Sequence, residues 1–223
     1  MPPPPTPPSP APRARRPSAD ERRRQILREA MRCFASNGFR GTTTREIAAA
    51  VGITEAALYR YYPSKQSLYD ALIGEKIAAP PLQDLAAEAV KARDDLTVFK
   101  TVARGLIDRS LGDPDFLRLL FFTALEGHEL SDPLFKARIS GLRGFVTDYI
   151  RTRMREGAFR EQDPSLCARA FLGMVSDYMY VRVILAQDDA YPQPIDEVVE
   201  TYVGIFLAGM RAVGGDSNEG DRG

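Results

Sequence analysis

The chain has 223 residues, with 30 basic and 30 acidic side chains, two cysteines and 44% hydrophobic residues. This composition excludes a wholly disordered protein, a collagen-like fibre and a small disulfide scaffold. No uncharged apolar run reaches the roughly 18–20 residues that span a bilayer, and the N-terminus lacks the apolar core of a signal peptide. We therefore expect a cytoplasmic globular protein with no membrane partner, whose Cys33 and Cys167 are free, buried thiols.

The N-terminal segment differs from the rest of the chain. Nine of the 17 prolines and three arginines fall in residues 1–17, which predicts a disordered arm. Residues 1–76 hold 13 basic and 7 acidic side chains, whereas residues 77–223 hold 17 and 23. This split is either chance or typical of an N-terminal half that meets a polyanion. The arm is either a solvated tail or a segment that touches nucleic-acid phosphates.

A first helix is predicted behind a Ser18 cap. Apolar residues repeat at four-residue steps from Ile26 to Phe34, and most of the charged residues lie off this stripe. Acidic residues follow Ser18 in the first turn, where they suit the helix dipole. Asn37 and Gly38 favour an end to this helix, because both tolerate a positive φ.

Two short helices joined by a glycine follow. Thr43 and Glu46 have the spacing of a capping box, which predicts a second helix over about residues 44–50. Gly52 supplies a tight turn, and Thr54 caps a third helix. With a longer helix on each side, this is the pattern of a helix-turn-helix unit, whose second helix lies in the major groove of DNA.

The remainder is also predicted to be helical. The third helix ends before Pro63, and a fourth begins near Ser64. Later breaks occur at prolines, several of them preceded by Asp, which caps a helix that Pro begins. The expected ranges are about 82–92, 95–111, 114–128, 132–157, 163–187 and 194–213, before a flexible tail over 214–223. The fold class is all-α: a three-helix helix-turn-helix DNA-binding domain over 18–66 and a larger helical domain over 67–213.

The polar residues around the helix-turn-helix suit DNA. Hydroxyls and backbone N–H groups at a helix N-terminus favour anions, and arginines reach phosphates or guanine edges. Singly, each residue has a simpler interpretation as a cap, a core side chain or an exposed charge, but together they indicate double-stranded DNA. The candidate DNA-binding residues are Thr42, Thr43, Thr44, Arg45, Thr54, Glu55, Ala56, Tyr59, Arg60, Tyr61 and Lys65.

The stretch FASNGFRGTTTREIAAAVGITEAALYRYYPSKQSLYDAL, residues 34–72, resembles the N-terminal signature of the TetR family of one-component transcriptional regulators. The resemblance is strongest over about residues 20–73. It implies phosphate contacts for Tyr59, Tyr61 and Lys65, and a recognition helix that starts at Thr54. Glu55 is less typical: an acid here either accepts from a cytosine amino group or serves only the helix dipole.

The resemblance also implies a C-terminal domain that binds a small-molecule effector and a homodimer formed by the last two long helices. Apolar stripes in those helices, which run from Leu166 to Leu185 and from Val198 to Met210, are either this interface or core within the subunit. Aromatic residues in the domain suggest a hydrophobic or aromatic effector. The candidate ligand-binding residues are Phe121, Phe122, Glu126, Asp177, Tyr178 and Arg182.

Nothing in the sequence indicates an enzyme, a metal site or a cofactor. It has no phosphate loop and no dinucleotide-binding glycine pattern, and His128 is the only histidine. The predicted function is a ligand-released repressor that binds a pseudo-palindromic operator as a dimer. The alternatives are an activator or partner-controlled regulator of the same fold, and a helical carrier or adaptor that has lost DNA binding.

Overall fold

The computed structural model describes residues 17–77, 80–126 and 133–212. The all-α prediction is confirmed over these ranges, where the one strand-like contact is an isolated bridge between Phe159 and Arg211. The α-helices are α1 (Ala19–Gly41), α2 (Thr44–Val51), α3 (Glu55–Tyr59), α4 (Lys65–Ile77), α5 (Leu82–Leu85), α6 (Ala87–Lys91), α7 (Asp95–Gly112), α8 (Pro114–Leu125), α9 (Pro133–Arg155), α10 (Pro164–Met179) and α11 (Ile195–Met210).

The predicted helix starts are supported by side-chain caps. Ser18 and Thr43 each form a capping box with the glutamate three residues later. Asp113 and Asp163 cap α8 and α10, and in both helices proline occupies the first turn. These starts depend on residues that are adjacent in sequence, which is why the sequence was sufficient to predict them.

Helix interiors and ends differ from the predictions in three places. The predicted helix over 82–92 is broken into α5 and α6 around the buried Ala86. The predicted helix over 163–187 is α-helical only to Met179 and continues as a π-helical turn over Tyr180–Ile184. The first helix resumes after Gly38, which interrupts it with φ 72° and ψ 177°, and ends at Gly41.

Two hydrophobic clusters divide the chain. The N-terminal cluster joins α1 to α4, with Phe34, Ile47 and Leu58 fully buried, and also takes in Leu119 of α8. The C-terminal cluster is formed mainly by α7, α9, α10 and α11, around the ring contacts of Phe99 with Phe171 and Phe206. The buried side chains of α4 belong to the N-terminal cluster, and α4 also contacts α9. The predicted domain boundary at residue 66 stays a prediction.

Helix α8 connects the two clusters. One face of it packs along α1, and Tyr69 of α4 forms a buried hydrogen bond with Thr123, with 3.1 Å between the hydroxyl oxygens. A buried polar pair of this kind requires both partners to stay in place, since an unpaired buried hydroxyl is costly. Helix α8 is therefore held against both α1 and α4.

The two cysteines are free, Cys167 buried and Cys33 half-buried, and burial raises the pKa of both thiols. No helix in the described ranges is long and apolar enough to cross a membrane. Four predictions fall largely or wholly outside the described residues: the disordered arm, the flexible tail, the break at Asp132-Pro133 and the helix-end position of His128.

Candidate nucleic-acid interface and ligand cavity

The turn between α2 and α3 is made by Gly52, which adopts a left-handed conformation with φ 74° and ψ 37°. Its N–H bonds back to the end of α2, and the N–H of Ile53 donates to the carbonyl of Ala48 at 2.9 Å. Only glycine takes this conformation without strain. The turn fixes the crossing of two helices whose inner faces bury Ile47 and Leu58.

We call residues 43–61, which comprise α2, the turn and α3, the reading head. Both of its helices begin at an exposed threonine cap: Thr43 accepts from the N–H of Glu46, and Thr54 accepts from the N–H of Ala57, each at 3.2 Å. The Glu46 carboxylate accepts hydrogen bonds from the N–H and the hydroxyl of Thr43, and these two bonds lower the pKa of that carboxyl group. The start of each helix is thus fixed locally, without help from the rest of the fold.

Three of the predicted DNA-binding residues meet on the surface of the reading head. The Thr44 hydroxyl donates to Glu55 Oε1 at 2.5 Å and lies 3.0 Å from the Tyr59 phenol, which also donates to Glu55 Oε1 at 3.3 Å. Tyr59 is 45% exposed, so its phenol is accessible as well as oriented. The sequence predicted each residue separately but gave no sign that Glu55 holds the other two.

The remaining candidates on the reading head are open to solvent or nearly so. Arg45, Ala56 and Arg60 are exposed, and Tyr61 is half-buried against the N-terminal cluster. Ala56 places only a small side chain on the surface of α3 in its first turn. Two exposed guanidinium groups flanking a short, uncrowded helix suit a groove between phosphate strands.

Thr42 and Lys65 are placed differently. Thr42 is fully buried, and its hydroxyl donates to the carbonyls of Cys33 and Gly38. The Lys65 ammonium donates to the carbonyls of Phe39 and Thr42 at 2.7 and 2.8 Å and lies 4.4 Å from the Phe39 ring centroid. Both side chains hold the corner between α1 and α2. Lys65 keeps one donor and its charge for an external anion, but Thr42 is placed to position the reading head from within.

The second candidate site is a cavity of about 690 Å³ in the C-terminal unit, lined by side chains from α5, α7, α8, α9 and α10. Its volume is within the range of small-molecule sites. The apolar part of the wall includes Leu106, Phe116, Leu120, Leu142 and Leu172.

None of the six predicted ligand-binding residues lines this cavity. On α8, Phe121 packs on Tyr180 with 5.5 Å between ring centroids, Phe122 lies against Gly38, and the Glu126 carboxylate accepts from the Arg40 N–H at 3.2 Å. The helical phase explains the difference: α8 turns Phe116 and Leu120 to the cavity, whereas Phe122 and Glu126 face α1.

The three candidates near the end of α10 meet at Tyr191. Its phenol donates to Asp177 at 2.7 Å, its carbonyl accepts from Arg182 at 3.0 Å, and its ring lies 4.8 Å from that of the fully buried Tyr178. Asp177 and Arg182 thus share Tyr191 as a partner. The hydrogen bonds of its phenol with Tyr202 and Asp177, together with burial, raise the pKa of Tyr191.

A glycine turn between two short capped helices, with exposed arginines and phenols on the second helix and its flanks, defines a helix-turn-helix DNA-binding protein. Two family models match the chain. Residues 26–72 match the bacterial regulatory proteins of the tetR family, and residues 111–211 match the C-terminal domain of AefR-like transcriptional repressors. The chain belongs to the TetR family and is a DNA-binding transcriptional regulator.

Individual proteins agree with this assignment. The chain is 30% identical over 179 residues to the nucleoid occlusion factor SlmA of Actinobacillus pleuropneumoniae serotype 5b, covering 73% of this chain and 86% of that protein. It is 28% identical over 187 residues to the HTH-type transcriptional repressor Rv1474c of Mycobacterium tuberculosis, covering 82% and 92%. The solved structure of AibR with isovaleryl coenzyme A and operator DNA has a TM-score of 0.58 at 24% identity, covering 83% and 97%.

Proposed function

We propose that this regulator is a ligand-released repressor that binds a pseudo-palindromic operator as a homodimer. The observation that carries the proposal is the combination, in one subunit, of an exposed reading head and a separate cavity, joined by a helix that packs on both. A repressor of this kind needs to bind only, with no catalytic step. Its DNA target would place it in the cytoplasm.

In the reading head, α3 would enter the major groove with Thr54, Ala56 and Arg60 facing base edges or the flanking backbone. Arg45, at the start of α2, would contact phosphate, as would Tyr59 and the free donor of Lys65. Thr44 and Glu55 would orient the Tyr59 phenol. These assignments rest on exposure and hydrogen bonding in the free protein.

The dimer would form through α10 and α11, whose predicted stripes divide into residues buried within the subunit and residues on an exposed outer face. Phe171, Tyr178, Val198, Phe206 and Met210, which belong to those stripes, are buried within the subunit. The outer face carries mainly small residues, among which Leu166 and Ile205 are 64% and 61% exposed. The exposed residues of this face are Leu166, Ala170, Gly173, Thr201, Gly204, Ile205 and Ala208. Small residues let two helix pairs approach closely, and the two large apolar side chains are costly to leave in water.

Release would follow from the position of α8. A ligand that displaces Phe116 and Leu120 would move the opposite face of the same helix against α1 and α4. Since two reading heads must fit one operator together, a small change in their spacing lowers affinity. A coupling free energy of about 1–3 kcal/mol is typical of such systems and changes affinity roughly 5–150-fold.

The test is selection of bound sequences from a random duplex library with the full-length protein, followed by titration of the selected duplex at several salt concentrations. We expect a two-fold symmetric site and an affinity that falls steeply with salt, because several phosphates per subunit lose their counterions. The matched variant is Ile205→Arg, which places a charge on the outer face of α11 and should yield a monomer with an intact fold. A folded, dimeric protein that enriches no sequence would favour the carrier alternative.

A further inference from the structure

We infer that the cavity takes an amphipathic anion: a ligand with an extended apolar body and a single carboxylate or phosphate head. The inference rests on the ligand-released function proposed above and specifies the chemistry of its effector. It differs from the sequence-based expectation of a merely hydrophobic or aromatic ligand, because the charged residues of the wall became visible only in the folded chain.

The charged side chains that line the cavity are mostly cationic. Among the described residues that line the cavity there are four cations, Lys76, Arg109, Arg143 and Arg169, and one carboxylate, Asp113. Asp113 pairs with Lys76 at 2.5 Å, and Arg109 donates to the carbonyl of Pro80 at 2.6 Å. A wall with this excess of positive charge attracts an anion and repels a cation.

Two of these arginines are placed to meet a head group. Arg143 of α9 and Arg169 of α10 line the same cavity from neighbouring, packed helices. Neither has an ion pair among the contacts of the described ranges. A guanidinium offers paired N–H donors whose geometry matches a carboxylate or a phosphate, and these charge-assisted hydrogen bonds are about twice as strong as neutral ones.

The apolar side chains that line the cavity favour a ligand with an apolar body. Leucines from α5, α7, α8, α9 and α10, together with Phe116 and Met179, form the apolar part of the wall, in which the Met179 sulfur accepts a hydrogen bond from the Ser110 hydroxyl. Burial of an alkyl chain there is favourable by about 0.8 kcal/mol per methylene. A small hydrophilic anion would form the contacts of the head group but would lack the free energy of burying an alkyl chain. The cavity therefore favours a ligand that combines an anionic head with an apolar body.

The position of an ion pair beside the cavity also connects ligand binding to release of the operator. Lys76 ends α4, which packs in the N-terminal cluster, and its partner Asp113 caps α8. An anionic ligand bound in this cavity would attract the Lys76 ammonium as well and so weaken its pairing with Asp113. The same binding event that fills the apolar part against Phe116 and Leu120 would therefore loosen a charged link between α4 and α8.

The experiment compares four probes of one chain length on the full-length protein stripped of bound lipid: dodecanoate, dodecyl phosphate, dodecanol and dodecylammonium. Binding is measured by isothermal titration calorimetry below the micelle concentration of the three charged probes and below the solubility limit of dodecanol. We expect one or both anions to bind at least tenfold more tightly than dodecanol, and dodecylammonium more weakly still. The ratio between the two anions tells which head the cavity prefers. Equal affinities for dodecanol and both anions would overturn the inference.

A variant pair locates the effect. The double variant Arg143→Gln and Arg169→Gln should weaken binding of the preferred anion at least tenfold and leave dodecanol binding unchanged. The control is Arg151→Gln, an exposed arginine of α9 that pairs with Asp148 outside the cavity and should change neither affinity. If the double variant does not fold, the comparison of probes on the unaltered chain still decides. An unchanged anion affinity in a folded double variant would contradict the proposed site.

The failure of this inference and the failure of the proposed function are distinguishable, because operator binding is measured first without any probe. If the protein binds its selected operator but no anionic probe, the proposed function stands and the inference about the cavity is wrong. If the protein binds dodecanoate but selects no operator, the inference about the cavity stands and the proposed repressor function is wrong. Release of the operator by the preferred anion, absent in the double variant, supports both.

Discussion

The reading head and the cavity use arginine in different surroundings. On the reading head, Arg45 and Arg60 are exposed at the two ends of a unit less than 20 residues long, on helices fixed by their own caps and turn. In the cavity, the half-buried Arg143 and the exposed Arg169 lie beside apolar side chains from five helices. An arginine on a polar surface interacts mainly with a partner that brings high charge, such as DNA, whereas an arginine beside an apolar wall favours an anion that also fills the space. The comparison teaches that the same side chain acquires its specificity from its surroundings.

The largest expected effect is the loss of operator affinity when an arginine of the reading head is replaced. Arg45→Ala and Arg60→Ala should each lower operator affinity by about 1–3 kcal/mol, or roughly 5–150-fold, because each removes a contact to a phosphate or a base. Binding of dodecanoate to the cavity should not change. Both affinities are measured on the same preparation, by fluorescence anisotropy for the operator and by calorimetry for the probe.

The control for these variants is Arg151→Ala, which removes an equally exposed arginine from the C-terminal unit. A loss of operator affinity equal to that of Arg45→Ala would mean that net charge, and not the position on the reading head, decides binding.

The second prediction concerns the joint between the two regions. At Gly38 an added Cβ would lie 2.2 Å from Glu126 Oε1, and φ is 72°. Gly38→Ala should therefore lower the free energy of unfolding by about 1–3 kcal/mol, since a non-glycine residue is strained there. The measurement is urea denaturation followed by circular dichroism.

Gly74→Ala is the matched control. Gly74 lies inside α4, where an added Cβ meets nothing within 4 Å, and alanine should stabilise the helix by up to about 1 kcal/mol. Equal stabilities for the two variants would show that α1 does not need its bend against α8.

The third prediction sharpens the role of the acid in the reading head. Glu55→Gln should increase affinity for unrelated duplex DNA by up to about tenfold at low salt, because it removes a negative charge beside the predicted phosphate contacts. Selectivity for the operator over unrelated DNA should fall, since the carboxylate that orients Thr44 and Tyr59 is lost. Glu161→Gln makes the same charge change far from the reading head, and an equal response from it would refute a local role for Glu55.

The smallest expected effect tests how locally the reading head is fixed. Thr43→Ala removes the cap of α2 and should cost about 1 kcal/mol of stability, whereas Thr43→Ser should keep the cap. The pKa of Glu46 is lowered in the folded state from its ordinary value of 4.5 by its bonds to Thr43. That stabilisation is fully present above pH 4.5 and is lost as the pH falls through the lowered pKa. In denaturation measurements the difference in stability between the two variants should therefore narrow from pH 7 to pH 3, and the part due to the bond from the Glu46 N–H should remain.

The sequence was informative where structure depends on near neighbours. Ser18, Thr43, Thr54, Asp113 and Asp163 identified helix starts because a cap and its partner lie within three residues of each other. Gly52 identified the turn because the backbone conformation there admits little else. The all-α class, the helix-turn-helix and the family followed from these local features.

Tertiary structure decided the rest. In α8 the run LLFFTAL is apolar on every side, so nothing in it shows which side chains meet the cavity and which meet α1. The same holds for the stripes of α10 and α11, whose largest residues turned inwards. Thr42 and Lys65 were predicted from sequence as phosphate contacts, and only the fold shows that both side chains donate to carbonyls of the preceding segment. Caps and turns act over a few residues, whereas the phase of a helix and the partner of a charge are fixed only when distant helices pack together.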